Sequence, residues 1–429
     1  MRVSFYECDI TPPIGCFMWG HGTKKIAEDV FERLYAKAAV VEQDGEIMAL
    51  VCVDTCALPE EMHDIVTKRI QEYTGIGPER VCICSNHTHN GAPVLDTPEV
   101  NCFGDAAYKD VFFRLTADAV ILAYKRLGEE EAQATFGKSL VGDISFNRNG
   151  ILTDGTYVTH IRGRENLVRP LGEIDPEVSV LTFEQAGKPV GAIINFACHQ
   201  CCTGGIKGYS GDFSSEMSRV LKERYGNEFV SLFVLGTCGD INHVNHDKNI
   251  ELPRFWHREM GKRLAAAVQE AQTSAVRSEG SVAVIKEKIR IARRQATPEY
   301  MAKKLEELSQ PGGSSLRLRN LIYYQAVNDK EYDELYVMGM KIGDTALYAL
   351  PGEVYVQFGL DIKHASPFAN NIVIENTNAY CGYIPTKNGF DECSLLYEAS
   401  LSFHSCLIPE AGDMLVEKAL EIGRELIGK

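Results

Sequence analysis

Between Ala36 and Ser85 the chain spells out a hairpin, a helix and a further strand in unbroken succession, and few folds accept that order. The run AKAAVVEQDGEIMALVCVD has two strand-like segments on either side of Asp44-Gly45, a pair suited to a tight turn, and its second segment ends at Asp54. PEEMHDIVTKRIQEYTG then sets apolar residues at helical spacing and stops at Gly75, and RVCICS is a short apolar strand. Strand, helix and strand at these lengths make a βαβ unit, which places the chain in the α/β class. In open α/β sheets, ligands gather beyond the carboxyl ends of the strands. The segment Asn86-His87-Thr88-His89-Asn90 is therefore where chemistry is expected.

The same order returns near the end. TALYALPGEVYVQFGLDIKHA and NIVIENTNAYCGY predict a strand reaching Glu353, a helix, and a strand leading into Tyr380 and Tyr383. Between these units, KPVGAIINFACHQ reads as a strand ending at His199 and FVSLFVLGTCGDINH as one ending near Asp240. GDFSSEMSRVLKERYG reads as a helix with Ser214 or Asp212 as its cap. The segment from about Thr297 to Ala326 predicts a helical hairpin broken by Pro-Gly-Gly-Ser-Ser, an insertion or lid. The tail EAGDMLVEKALEIGRELIGK is an amphipathic helix. No low-complexity linker divides the chain, so residues 1–429 are expected to form a single domain of mixed β-sheets flanked by helices.

Charge and composition narrow the function classes. Acidic residues number 59 against 44 basic, a net charge of −15, which disfavours nucleic acid and anionic bilayers as partners. No window approaches the ~20 apolar residues of a membrane span, and the N-terminal MRVSFYECDITPPIG lacks a secretory pattern. The scattered cysteines then imply free thiols in a reducing cytoplasm. The expected partner is a small-molecule substrate, with no nucleic acid and no stable membrane association; assembly into a homo-oligomer stays open.

Zinc prefers imidazole and carboxylate donors, and a catalytic site needs three or so protein ligands with a position left for water. Eleven histidines make a bare His-x-His only a modest signal. Company strengthens it: His199 ends one strand, and Glu353 follows Pro351-Gly352 at the end of another. Two imidazoles and a carboxylate around zinc would activate water and polarise a carbonyl. A metallo-β-lactamase pattern would need Asp and His where the chain has Gly91 and Ala92, and an amidohydrolase barrel would need eight regular βα units that are not visible. Cys198, Cys201 and Cys202 lack a second Cys-x-x-Cys to complete a structural cluster, which favours buried thiols. Asp54 and Asp240 could bind turn amides or substrate.

DITPPIG, ERLYAKAAVV, VCVD, SNHTHNGAP, SFNRNG, EIDPEVSVLTF, NFACHQ, LGTCGDIN, LPGE, NAYCGYIPT and YEAS occur in an order and spacing that resemble the catalytic domain of the neutral ceramidase family, from about Asp9 to Ser400. The resemblance implies a zinc ion held by His87, His199, Glu353 and Tyr383. It implies that His89 is an acid/base or hydrogen-bonding partner rather than a ligand. It also implies that Arg148 stabilises charge on a carbonyl oxygen and that Tyr397 lines the same pocket. Where the family reads Gly-Asp-x-Ser, this chain has Asn242, which cannot act as a serine-type acyl acceptor but whose amide could donate a hydrogen bond. The expected activity is zinc-dependent hydrolysis of a linear N-acyl amide, ceramidase-like with a substrate other than ceramide. The alternatives are an ester or glycoside hydrolase on the same metal site, or an inactive zinc-binding homologue. Secreted members of that family carry an additional immunoglobulin-like domain after the catalytic one, and this chain is expected to depart from them in having none.

Overall fold

The computed structural model describes all residues except 22, 97–102 and 311–314. Its three larger sheets are built to one plan. The first runs Arg2–Asp9, Tyr35–Gln43, Glu46–Val53 and Val81–Ser85; the first three strands are antiparallel neighbours and the last two are parallel. The second repeats this with Ala132–Leu140, Glu177–Gln185, Lys188–Phe196 and Val230–Leu235, plus the short edge strand Val276–Arg277. The third repeats it with Val282–Ala292, Tyr332–Ile342, Thr345–Ala349 and Asn370–Ile374. In each sheet a helix links the parallel pair (Met62–Thr74, Asp212–Tyr225 and Val356–Ala365) and another follows it (Ala106–Lys125, Trp256–Thr273 and Ala411–Ile427). The chain thus holds three topological copies, where its sequence spells out two βαβ units and a strand-helix-strand between them. No matching residues betray the copies.

Strand alternation explains the packing. In the first sheet Ala38, Val40, Ala49, Val51 and Ile83 face the helices, while Ala39, Val41, Leu50, Cys82 and Cys84 face inward. The inward residues meet Leu181, Ile193 and Leu232 of the second sheet and Met338, Leu347 and Ile372 of the third in a shared central core. With both faces covered, the strands must be apolar on both sides, which is why they read as continuous runs. At the first hairpin Asp44 and Gly45 take φ of 54° and 86°, the paired left-handed conformation of a tight two-residue turn. Gly75 ends the first helix in the left-handed conformation, its N–H bonded to Gln71 O.

Two details depart from expectation. The strand expected to reach Glu353 ends at Ala349, and Glu353–Val354 forms its own two-residue strand, parallel to Tyr383–Ile384. The backbone bends there because Pro351 offers no N–H to a ladder. The helix beginning at Asp212 is preceded by Gly211 with no side-chain cap, since Asp212 Oδ2 instead accepts from Thr203 N and Oγ1, each at 2.8 Å. The insertion is two helices, Pro298–Ser309 and Ser315–Val327, the first capped by Thr297; the Pro-Gly-Gly-Ser break lies outside the described residues. Among the described residues no helix is long and apolar enough to cross a membrane.

The carboxyl ends of the three parallel pairs are laced together by backbone hydrogen bonds. Ser85 N donates to Asn376 O (3.2 Å), Glu375 N to Leu235 O (3.0 Å), Gly239 N to Val354 O (2.9 Å) and His89 N to Gln200 O (3.0 Å). Each copy delivers its strand-end residues to the same place.

Candidate active site

One ligand candidate comes from each copy. His87 follows the last strand of the first sheet, His199 the third strand of the second, and Glu353 the third strand of the third. His87 Nε2 lies 3.2 Å and His199 Nε2 3.3 Å from the same oxygen, Glu353 Oε2, and all three side chains are buried. The imidazoles cross nearly at right angles with centroids 4.5 Å apart.

Hydrogen bonds fix the tautomers. His87 Nδ1 is 2.5 Å from Cys56 O, and His199 Nδ1 is 2.8 Å from Cys238 O. A carbonyl only accepts, so each Nδ1 carries the proton and each Nε2 presents a lone pair. Burial, with the charge of Arg148, pushes His199 down to about 3, so its ring is neutral. The orphaned atoms His87 Nε2, His199 Nε2 and Glu353 Oε2 have no hydrogen-bond partner. Three buried lone-pair donors aimed at one point suit a divalent cation. A set of Cys56, His87 and His89 is also close enough to hold an ion. It is the poorer fit, because burial pushes the Cys56 thiol well above its ordinary range.

Backbone and neighbours hold the triad. His87 has φ of 66°, a conformation that costs a non-glycine residue about 1–3 kcal/mol and recurs at functional sites. Asp54 supports this turn: its Oδ1 accepts from Asn86 Nδ2 (2.6 Å) and its Oδ2 from Tyr35 N (2.7 Å). Asp240 receives Val356 N (2.8 Å) and Asn147 Nδ2 (2.7 Å). Both aspartates therefore bind turn and helix-end groups. Tyr380 donates to Glu353 Oε1 at 2.9 Å, leaving Oε2 for the histidines. At Gly352, φ is 75° and a Cβ would meet Gly382 O at 2.6 Å, so only glycine lets the Glu353 turn lie against the Tyr383 turn.

The structure brings the remaining candidates to the same region with different partners. The His89 ring sits 5.1 Å from that of His87 and 5.9 Å from that of His199, and its Nε2 is buried without a partner. Burial and the two neighbouring histidines hold it well below its ordinary range. Tyr383 stands opposite Glu353 in the strand pairing, and its Oη lies 3.3 Å from Tyr397 Oη. Arg148 packs 5.6 Å from the Tyr383 ring and 5.4 Å from the Tyr397 ring. Its Nε donates to Glu398 Oε1 at 3.0 Å and its Nη2 to Gly239 O at 2.6 Å. Asn242 is buried, with Oδ1 accepting from Val244 N at 2.9 Å. Cys198, Cys201 and Cys202 diverge: Cys201 Sγ lies 3.6 Å from His243 Nδ1, and Cys202 Sγ 3.3 Å from Met260 Sδ.

The chain matches the model of the family described as "Neutral/alkaline non-lysosomal ceramidase, N-terminal" over residues 3–248. It belongs to that family. The match spans the first copy and most of the second, so His87, His89, Arg148, His199 and Asn242 fall inside it, while Glu353, Tyr383 and Tyr397 lie beyond. Likeness to solved ceramidases extends over the whole fold. The neutral ceramidase from Pseudomonas aeruginosa aligns with a TM-score of 0.71 and 19% identity, over 99% of this chain and 74% of that one. A ceramidase complexed with C2 aligns with a TM-score of 0.73 and 19% identity, over 100% and 75%. No curated protein matches the chain.

Sequence reasoning missed several members of this ceramidase-family site. Glu398, fully buried, holds Arg148 and accepts from Thr159 Oγ1 at 2.7 Å; its place beside Tyr397 in YEAS was the available signal. Glu375 accepts from Val354 N at 2.7 Å and Cys238 N at 3.1 Å beneath the triad, and burial drives its carboxyl well up. His21 lies 5.7 Å from His89, ring to ring, and nothing in its surrounding sequence marks it.

Proposed function

We propose that this chain is a zinc-dependent hydrolase of a linear N-acyl amide, compact and soluble rather than ceramide. The observation that carries the reading is the three orphaned lone-pair atoms of His87, His199 and Glu353 converging beside a buried arginine in a ceramidase-family chain. Tyr383, opposite Glu353 in the strand pairing, would complete the ligand set. When bound, zinc supplies Lewis acidity that lowers the pKa of water and polarises a carbonyl.

The chain's own residues do the rest. Cys56 O and Cys238 O keep both Nε2 atoms bare and correctly turned, and Tyr380 keeps Glu353 Oε2 directed at them. His89, neutral and free at Nε2, can take a proton and later return it to the leaving amine. Arg148, held rigid by Glu398, Gly239 O and two tyrosine rings, offers positive charge to a developing oxyanion, with Tyr397 as a neighbouring donor. Asn242, its Oδ1 engaged by Val244 N, is assigned a loop-holding part. The surroundings are aromatic and polar, with Trp19, Tyr380 and Tyr397 close by. That composition favours a short acyl amide over a long aliphatic chain.

Purified protein should be screened on N-acyl amides, esters and glycosides side by side, with and without zinc. Zinc-dependent amide turnover lost in Glu353→Ala is the expected result; turnover confined to esters or glycosides, or untouched by that substitution, would sink the reading.

A further inference from the structure

Glu375 follows directly on the strand Asn370–Ile374 and is fully buried where the three copies meet. Its N–H donates to Leu235 O, at the end of the second copy's parallel strand, at 3.0 Å. Its carboxyl reaches two other turns: Oε2 accepts from Val354 N at 2.7 Å and from Cys238 N at 3.1 Å, and Oε1 accepts from Cys238 Sγ at 3.1 Å. The next residue reaches the first copy. Asn376 N donates to Gly352 O at 3.0 Å, and Asn376 O accepts from Ser85 N, two residues before His87, at 3.2 Å.

These contacts fall beside the ligand candidates. Val354 adjoins Glu353, and Cys238 O is the acceptor that orients His199 through its Nδ1. One carboxyl oxygen therefore ties the turn bearing Glu353 to the peptide that aims His199. Strand alternation explains why an acceptor is needed there. Glu353 N and Tyr355 N donate to Gly382 O and Ile384 O in the short parallel pairing, which turns Val354 N the other way, toward Glu375. A buried N–H without an acceptor is costly. Burying a carboxyl is costly too unless its oxygens are hydrogen-bonded, and the groups that satisfy this one belong to the ligand turns.

Resting on the reading of His87, His199 and Glu353 as metal ligands, we infer that Glu375 is a positioning residue for the metal, its carboxyl fixing the separation of His199 from Glu353. It acts through Cys238 and Val354, and a cation then meets both ligands without rearranging either turn.

Zinc affinity, read by competition with a chelating dye, and the visible absorption of bound cobalt(II), which reports ligand arrangement, test this in the full chain. Glu375→Ala strips both N–H groups of their acceptor. It should weaken zinc by ~10–100-fold, the range for groups that orient a ligand, and alter the cobalt spectrum. Glu375→Gln keeps one oxygen for both N–H groups and should hold most of the affinity. Ser139→Ala is the structural control: it removes a buried hydrogen bond to Ala267 O (2.8 Å) in the second sheet without touching a ligand turn, and should leave affinity and spectrum unchanged. A folded Glu375→Ala protein with native affinity and spectrum would overturn the assignment, as would an equal loss in Ser139→Ala. If the alanine variant does not fold, Glu375→Asp carries the test, because its carboxyl stops one methylene short of the two N–H groups. Its affinity should fall below that of Glu375→Gln; an equal or higher affinity would overturn the assignment. These measurements read metal rather than turnover. A native chain that binds neither ion sinks the ligand reading and this inference together, whereas the predicted order of affinities without amide hydrolysis supports the inference and sinks the amide reading alone.

Discussion

His87 Nε2 and Glu353 Oε2 stand 3.2 Å apart, two lone-pair-bearing atoms whose companions are already engaged, His87 Nδ1 by Cys56 O and Glu353 Oε1 by Tyr380. Such a contact, buried and repeated by His199, is unfavourable without a cation between them. Zinc should therefore co-purify in stoichiometric amount, and chelation should lower the unfolding midpoint. Resupplying zinc at 100 times its dissociation constant restores about 2.7 kcal/mol by mass action. Metal analysis with calorimetry checks this; a midpoint indifferent to chelator would refute a resident ion.

His87 and His89 should separate cleanly. His87→Ala removes one of the converging atoms and should lose zinc and turnover together. His89→Ala leaves the convergence intact, so zinc should stay bound while kcat falls by ~10²–10⁴-fold, the usual scale for a lost general acid/base. Loss of zinc in both variants would make His89 a ligand.

Tyr380 and Tyr383 offer a second paired comparison. Tyr380 touches Glu353 directly, so Tyr380→Phe should weaken zinc binding by ~10–100-fold, the cost of losing a group that orients a ligand. If Tyr383 coordinates the ion, Tyr383→Phe should weaken it at least as much. Competition with a chelating dye measures both affinities, and an unchanged affinity in Tyr383→Phe would remove that residue from the ligand set.

What the sequence revealed was what local pattern encodes. Asp44-Gly45, Gly75 and the apolar runs marked the first βαβ unit, and strand ends marked His87, His199 and Glu353. The triad was legible because each member sits a few residues beyond a strand. Tyr380 and Tyr383 were hard to rank because their separation depends on which ring turns toward Glu353. Glu375 and His21 were silent for another reason: each meets partners distant in sequence, such as Glu375 at Cys238 N. The third topological copy was hidden because its likeness lies in strand pairing, which residue identities do not repeat.

Arg148 and Glu398 are both buried and paired at 3.0 Å. Removing one partner strands the other's charge, so Glu398→Ala should destabilise the chain by ~3–5 kcal/mol, far more than a surface pair would. Pairing it with Arg148→Met should recover part of the loss, since no lone charge remains. Denaturant unfolding of both singles and the double variant decides the matter; additive losses would show that the two are not coupled.

Lys286 supplies a pH test far from the ligands. Its Nζ is enclosed by His63 Nε2, Pro78 O (3.2 Å) and Val81 O (3.4 Å), between the first helix and the third sheet. Burial lowers its ammonium to about 8 from an ordinary 10.5. Between those values the unfolded chain binds the proton and the folded chain releases it, so unfolding free energy gains with rising pH across that window, by at most ~1.4 kcal/mol per pH unit. The gain is complete above about 10.5 and lost as pH falls through about 8. Lys286→Met has no proton to release. The stability of the native chain minus that of Lys286→Met should therefore climb as pH is raised through this window, other titrating groups cancelling in the subtraction. A difference that stays level would mean that Lys286 is solvated and titrates normally in the folded protein.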